Sequence, residues 1–428
     1  MTRIDERVST HVYKVKRISK EEMESIAGVC VYDQPPFCNA ACPLKLDVKA
    51  MLKAAAENDF KKAFKIYESI APFPLILSAG CGAPCEEKCR LCELGDGIAI
   101  GDIERAVALS GGAGEKRSIF RVKKKKKAAV FGSGLFALLL AGELEKKGYP
   151  VTAICGEADE EEYLRVAAGF LREDDFYTEL KRLRGKDIAF EFNAEMTREL
   201  FEEKRGGFDV LCASEKAALD IFPGAVRDEG IMLMESEGLL TGGGETVLEA
   251  ALGARKAALT ADRLAQGIDP RSARGEEGPV TSWLYTNPDL ARGLIRIKGC
   301  ESGYTREQAA EEAGRCMQCH CDECLRGCAY LRRFNKHPGL LSREIYNNTQ
   351  IIMGDHPLNR AMNACALCGQ CTVTCPHGFD MAHVCRTARE NMVDTDKMPL
   401  AAHEFALLDM LFSNGEAYLC RKQPGHSH

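Results

Sequence analysis

Apolar residues recur at helical spacing from Asp47 to Ile70, with Lys and Glu between them, so the pattern predicts helices there. Ala128-Ala129-Val130-Phe131 is instead a short continuous apolar run, the mark of a strand buried on both faces. Gly132-Ser133-Gly134 then turns the chain, and Leu135 to Lys147 continues as a helix. Gly148-Tyr149-Pro150 leads into the strand Val151 to Ile154, which completes a βαβ unit and implies a parallel sheet. Phe208 to Leu211 reads as another inner strand. Glu245 to Leu264, after the glycine-rich Gly238 to Gly244, reads as a long helix. The chain is therefore expected to be a multidomain α/β protein. A helical unit covers 1–122 and ends in the linker Gly111-Gly112-Ala113-Gly114. An α/β unit covers 123–268, an irregular Gly/Pro connector 269–305, and a second helical unit with two cysteine loops 306–428.

The apolar stretch Ala128 to Gly142 follows the basic run Lys123 to Lys127 and could pass for a membrane anchor. It is too short to span a bilayer and carries three glycines, so no membrane span is expected. With a formal net charge of -6, nothing points to nucleic acid. The charged N-terminus, Met1 to Arg7, has no apolar core segment behind it and does not read as a signal peptide.

The 21 cysteines change the picture. They are bunched, and their number is odd, so a secreted disulfide scaffold is a poor reading. Metal ligation in a reducing, cytoplasmic compartment is a better one. Cys365-x2-Cys368-x2-Cys371-x3-Cys375-Pro376 is the bacterial ferredoxin run, in which three thiolates hold one [4Fe–4S] cluster and the fourth reaches a second. The second motif it requires is Cys316-x2-Cys319-x-Cys321-x2-Cys324-x3-Cys328. Two clusters follow: one on Cys365, Cys368, Cys371 and Cys328, the other on Cys375 with three of Cys316, Cys319, Cys321 and Cys324. Structural zinc is the alternative for any Cys-x2-Cys pair. Nearer the N-terminus, Cys30, Cys38 and Cys42-Pro43 precede Cys81-x3-Cys85-x3-Cys89-x2-Cys92, and these imply one or two further clusters. Cys155, Cys212, Cys300, Cys385 and Cys420 are isolated and read as buried free thiols, although Cys385 is close enough to the last motif to matter. His320 reads as a loop residue, His377 as packing beside a cluster, and His426 and His428 as tail.

Three segments carry a family resemblance: Phe37-Cys38-Asn39-Ala40-Ala41-Cys42-Pro43, Cys81-Gly82-Ala83-Pro84-Cys85 through Cys92, and Ile98 through Arg105. Together they resemble the N-terminal module of the glutamate synthase small subunit and of dihydropyrimidine dehydrogenase. The resemblance implies an α-helical ferredoxin with two [4Fe–4S] clusters. One would be held by Cys42, Cys85, Cys89 and Glu104; the other would take Cys30, Cys38 and Cys92. Where the family has a further Cys, this chain has Asp33, so Asp33 or Cys81 would have to fill the corner, or the cluster would be incomplete. Glu312-Ala313-Gly314-Arg315-Cys316-Met317-Gln318-Cys319 is similar to the tail of many such flavoproteins. The part beyond it resembles the helical dicluster ferredoxin subunit of heterodisulfide reductase.

Gly132-x-Gly134-x2-Ala137 after a strand is a dinucleotide fingerprint. By the resemblance it belongs to a reduced Rossmann-like FAD domain, with Glu157, Gly243 and Thr246 as further cofactor contacts. Three features depart from a complete flavoenzyme: Cys155 stands where an acid should end the second strand, Gly242-Gly243-Gly244 lacks the expected Asp, and Phe136 crowds the turn. The NADPH domain is also missing. FAD is thus either kept as a relay or lost. The expected function is that of an electron-transfer subunit in an anaerobic, hetero-oligomeric oxidoreductase, exchanging electrons with other redox subunits. The alternative is a stand-alone flavin-dependent oxidoreductase of the glutamate synthase small-subunit type.

Overall fold

The computed structural model describes residues 18–111, 123–272, 274–275, 277–299, 303–395 and 397. Met1 to Arg7, the Gly112 to Gly114 part of the linker, Cys300, Cys420, His426 and His428 lie outside the described residues. The chain divides into two compact units, cut differently from the four segments read above. One comprises 35–282 with 288–319; the other comprises 1–34, 283–287 and 320–428.

In the first unit, helices span Phe37–Ala41, Val48–Ala56, Phe60–Glu68, Pro74–Gly80, Pro84–Glu87 and Ile100–Ser110. Asp47 and Asp59 start two of them by accepting the backbone N–H of Ala50 and Lys62, as N-cap carboxylates do. The α/β part is a six-stranded sheet of order β3-β2-β1-β4-β6-β5. Its strands are β1 Ala128–Phe131, β2 Val151–Ile154, β3 Ile188–Glu191, β4 Val210–Ser214, β5 Leu233–Met234 and β6 Leu239–Gly242. All neighbours are parallel except β5, which runs antiparallel to β6. β1 is buried along its whole length between β2 and β4, with Val130 opposite Ala153 and Cys212. β4 begins two residues later than its apolar run suggests, because Asp209 is used at the entry, where its carboxylate accepts the Lys127 N–H. The β5–β6 hairpin left no signal, because a two-residue strand is too short to show alternation.

The helix Leu135–Lys146 is buried from Phe136 to Glu145 and packs on the helix Val247–Gln266. That second helix starts at Val247 rather than Glu245 because Thr246 and Glu249 form a reciprocal capping box. One apolar core runs from Cys42 to Met317. Buried Glu179 accepts the Leu75 N–H at 2.5 Å, and Arg105 pairs with Asp175 at 2.7 Å. Gly142 lets the two helical layers meet, since a Cβ there would stand 2.8 Å from Pro72 and Phe73. These contacts are why the unit does not break near residue 122.

In the second unit, the helix Lys20–Gly28 packs on Pro338–Gln350, which packs in turn on Met381–Asp394. Met23, Leu341, Ile345, Met362, Phe379 and Val384 form the core. Tyr32 stacks on His337, with ring centroids 4.3 Å apart and planes 11° from parallel, and Arg343 pairs with Glu24 at 2.9 Å. Among the described residues, no helix is long and apolar enough to cross a membrane.

Candidate metal centres

Four Cys-x3-Cys segments share one local geometry. In each, the first thiol sits within a single helical turn and the second on the extended residue that leaves it. Cys38 lies in Phe37–Ala41 and Cys42 exits at φ -75°, ψ 113°. Cys85 lies in Pro84–Glu87, and Cys89 is extended at φ -66°, ψ 123°. Cys324 lies in Glu323–Gly327 and Cys328 exits at φ -116°, ψ 113°. Cys371 lies in Gln370–Thr374 and Cys375 exits at φ -78°, ψ 123°. A continued helix would place i and i+4 on one face; the extended exit residue sends the second thiol elsewhere.

The four turns pair within their own units, Phe37–Ala41 with Pro84–Glu87 and Glu323–Gly327 with Gln370–Thr374. In the first unit the exit thiol Cys42 meets the helix thiol Cys85, together with Cys81 and Glu104. Burial, with the Glu104 charge second, pushes Cys81 up to about 12 and Cys85 higher still. Glu104 is fully enclosed, and burial raises its carboxyl to about 8. The Tyr67 hydroxyl is buried beside that carboxyl without closing a hydrogen bond of regular geometry.

The helix thiol Cys38 meets the exit thiol Cys89, together with Cys316 and Cys319. The four line one narrow cavity with Leu52, Leu91 and Ile98. Burial and then the neighbouring thiolates push Cys38 well above the ordinary thiol range and Cys316 up to about 11. The loop bearing Cys319 is tied down where Lys49 Nζ donates to its carbonyl at 2.9 Å.

In the second unit the helix thiol Cys324 meets the exit thiol Cys375, together with Cys321 and Cys30. Burial pushes Cys321 up to about 11 and Cys324 up to about 12, with the neighbouring thiolates adding to it. The exit thiol Cys328 and the helix thiol Cys371 share an open cavity of ≈ 530 Å³ with Cys365 and Cys368. The Cys365 thiol is held below its usual range by a hydrogen bond from Cys385, whose sulfur lies 3.6 Å from the Tyr330 hydroxyl. Among the described residues, no group of three or more Cys, His, Asp and Glu side chains closes on a point tightly enough for a single metal ion.

Several groupings differ from the sequence reading. Cys89 stands with Cys38 rather than with Cys42, Cys85 and Glu104, because its extended backbone turns it away from Cys85. Cys81 takes the place expected for Cys89. Cys30 and Cys38 each stand with other thiols of their own unit. Cys92 is exposed, its thiol donates to the Glu86 carbonyl at 3.4 Å, and Cys89 is the thiol beside it. Cys321 and Cys324 stand with Cys375, while Cys316 and Cys319 stand with Cys38 and Cys89 in the first unit. Cys155 and Cys212 are buried strand-end and strand thiols.

The dinucleotide fingerprint folds as a strand, turn and helix. Gly132 and Gly134 have φ of 83° and 98°, and Ala137 is buried in the first helical turn. The surrounding seat, however, is filled. The Phe136 ring is buried where a Cβ on Gly242 would stand 2.6 Å from it. The Glu215 carboxylate lies against Gly243, with 2.4 Å to a Cβ built there. The N–H groups of Glu245 and Thr246 are closed by the Glu249 carboxylate, which leaves that helix start acidic. Glu157 turns to the Cys155 thiol, and one of its oxygens is buried without a partner. A flavin pyrophosphate needs free N–H groups and no carboxylates at these points, so the residues present do not fit it.

Comparison with characterised proteins agrees with the two cysteine modules. Residues 7–112 match the family described as dihydropyrimidine dehydrogenase domain II, 4Fe-4S cluster, and residues 315–380 match the 4Fe-4S dicluster domain. The chain is 28% identical over 230 residues to the NADPH-Fe(3+) oxidoreductase subunit beta of Geobacter sulfurreducens, covering 50% of this chain and 33% of that protein. It is 28% identical over 159 residues to the NADP(+)-dependent formate dehydrogenase subunit beta of Moorella thermoacetica, covering 31% and 21%. It is 29% identical over 146 residues to the glutamate synthase [NADPH] small chain of Azospirillum brasilense, covering 32% and 29%. The chain thus spans a third or less of each of these relatives. It joins an N-terminal iron–sulfur module of the dihydropyrimidine dehydrogenase domain II type to a C-terminal 4Fe-4S dicluster module, in distant relation to the glutamate synthase small chain and the NADPH-Fe(3+) oxidoreductase beta subunit.

Proposed function

We propose that the protein is an electron-transfer subunit of a multi-subunit oxidoreductase, with its cysteine groups as [4Fe–4S] seats and a partner performing the substrate chemistry. The observation that carries this reading is the pairing of thiol groups through shared turns. Cys38 and Cys42, and likewise Cys85 and Cys89, each serve two neighbouring seats, as Cys324/Cys328 and Cys371/Cys375 do in the other unit. Paired seats one turn apart suit relay rather than isolated structural metal. The donors fit the group: buried thiols pushed up by burial and by one another ionise together only beside a cationic partner. A bound cluster supplies one-electron chemistry at a potential set by ligand identity, hydrogen bonds to sulfur and exposure. Glu104 offers one seat an oxygen donor, and the Tyr67 hydroxyl beside it is placed to hydrogen-bond that oxygen. Arg389 donates to the carbonyl of Cys365 and fixes the start of that run.

The central sheet serves in this proposal as a scaffold, and no electron step is routed through a flavin, because Phe136 and Glu215 occupy its seat. Two of the relatives are named as beta subunits, which supports redox partners for this chain as well. The test is oxygen-free purification followed by iron, sulfide, zinc and flavin analysis, with dithionite-reduced EPR. Iron and sulfide in equal amounts, reducible signals and no released flavin are expected. Stoichiometric zinc with trace iron would end the proposal, and rapid NADPH oxidation by the isolated chain would replace it with a flavoenzyme.

A further inference from the structure

The two ends of the chain trade cysteines. In the complete ferredoxin run, the helix thiol Cys371 is preceded at three and six residues by Cys368 and Cys365. Applied to Cys324, the same ladder finds Cys321 at three but Gln318 at six, so that run lacks one thiol. Applied to Cys38, it finds Pro35 and Tyr32, so that turn lacks two. The vacancies are filled from outside each run. Cys30, which sequence order assigns to the N-terminal module, stands with Cys321, Cys324 and Cys375. Cys316 and Cys319, which lie inside the stretch matching the dicluster domain, stand with Cys38 and Cys89.

Each transfer is anchored. Cys30 follows the helix Lys20–Gly28, which packs on Pro338–Gln350, and Gly339 leaves only 2.8 Å between the Cys30 Cβ and a Cβ of its own. The Cys316–Cys319 loop follows the helix Arg306–Gly314, which packs on Val48–Ala56 and Ile100–Ser110. Gln318 takes up φ 51° and donates to both the Lys49 carbonyl and the Cys316 sulfur. The residue that breaks the C-terminal ladder therefore helps to seat the borrowed pair.

We propose that two of the four [4Fe–4S] sites are composite, one held by Cys38, Cys89, Cys316 and Cys319 and the other by Cys30, Cys321, Cys324 and Cys375. This rests on the iron–sulfur reading above. Neither cysteine-rich end then completes both of its clusters from its own run, and the N-terminal module matures fully only after residue 319 has been made.

The test uses the full chain, purified without oxygen, with Cys→Ser variants at Cys38, Cys316, Cys321 and Cys30. The site assignment predicts that Cys316→Ser and Cys38→Ser alter the same EPR signal, and that Cys30→Ser and Cys321→Ser alter a different one. Cys316→Ala/Cys319→Ala is expected to lose about four iron atoms per chain, one cubane. Should Cys316→Ser move the signal that Cys321→Ser moves, the exchange is wrong. Should a variant lose its fold, the apoprotein of the unaltered chain decides instead, through cross-linking with dibromobimane and peptide mapping. Links from Cys38 to Cys316 or Cys319, and from Cys30 to Cys324, are expected; links from Cys30 to Cys38 or from Cys319 to Cys321 would overturn the assignment. A chain with no iron at all would defeat the relay proposal itself, whereas full iron with the wrong pairing would defeat only the exchange.

Discussion

Removing the Glu312 carboxylate tests how the Cys316–Cys319 loop is held. Glu312 is wholly buried on the helix Arg306–Gly314. One oxygen accepts the Ala99 N–H at 3.1 Å and the Arg315 guanidinium; the other accepts the Ile297 N–H at 2.9 Å. Arg315, itself 6% exposed, also donates to the carbonyls of Asp96 and Gly293. Glu312→Ala leaves the buried Ala99 N–H and the half-buried Ile297 N–H without their acceptor and a buried cation without its counter-charge. Breaking one side of such a pair costs about 3–5 kcal/mol. For a unit of this size that corresponds to roughly 6–10 °C in melting temperature. Glu312→Gln keeps the side-chain volume and one acceptor oxygen but loses the charge and turns an NH2 donor towards the other bonded donor, so about 1–3 kcal/mol is expected from that one unmatched group. Thermal melts of the metal-free protein, followed by circular dichroism, read both variants. The order wild type, Gln, Ala is required. An Ala variant melting within about 2 °C of wild type would refute the reasoning, because it would mean that neither N–H group nor the guanidinium depends on Glu312.

Cluster loading should rise with pH. Cys81 and Cys316 hold their protons to about 12 and 11, and each thiol releases its proton on binding metal, so affinity gains up to about tenfold per proton per pH unit below those values. Anaerobic reconstitution should therefore be more complete at pH 9 than at pH 7, and a flat profile would contradict the buried-thiol picture. Gly142→Ala, normally a gain of about 1 kcal/mol in a helix, should instead destabilise by about 1–3 kcal/mol, because its methyl would strike Phe73 and Pro72; denaturant unfolding of the apoprotein measures the sign. Tyr67→Phe removes a buried hydroxyl with no regular partner, so the apoprotein should not lose stability, while the EPR signal of the loaded Glu104 site should shift. A stability loss above about 1 kcal/mol on Tyr67→Phe would show that the hydroxyl is satisfied in the apo state.

What the sequence made legible was local. β1, the Gly132–Gly134 turn and the helix after it could be read because apolar run, glycine and periodicity all fall within twenty residues. Cys365, Cys368, Cys371 and Cys328, which line one cavity, could be grouped because three of them lie within seven residues. What stayed hidden was which distant segment fills a vacant corner. Spacing reports neighbours along a turn and says nothing of a helix such as Arg306–Gly314 that packs back on Val48–Ala56. The signal was nevertheless present at Gln318, where the three-residue ladder ending at Cys324 skips a rung, and at Pro35 and Tyr32, where the ladder ending at Cys38 has none.

The repeated turn also explains why the corners divide as they do. A thiol inside one turn of helix and a thiol on the extended residue that leaves it diverge, so a Cys-x3-Cys of this turn type does not close both on the same cluster, unlike Cys81 and Cys85, which lie outside that geometry. Two such turns packed together give two seats, each with one helix thiol and one exit thiol, and leave two corners per seat to be supplied. Cys365 and Cys368 supply theirs from the residues just ahead of the turn. Cys81 and Glu104 supply theirs from a preceding loop and a following helix. In the composite sites proposed above, Gln318, Pro35 and Tyr32 stand at the vacant rungs, Cys321 fills the one rung present, and Cys30, Cys316 and Cys319 fill the vacant corners from the opposite cysteine-rich region. The crossed pair of turns is the constant element, and the outer corners are free to be drawn from any segment that packs beside it.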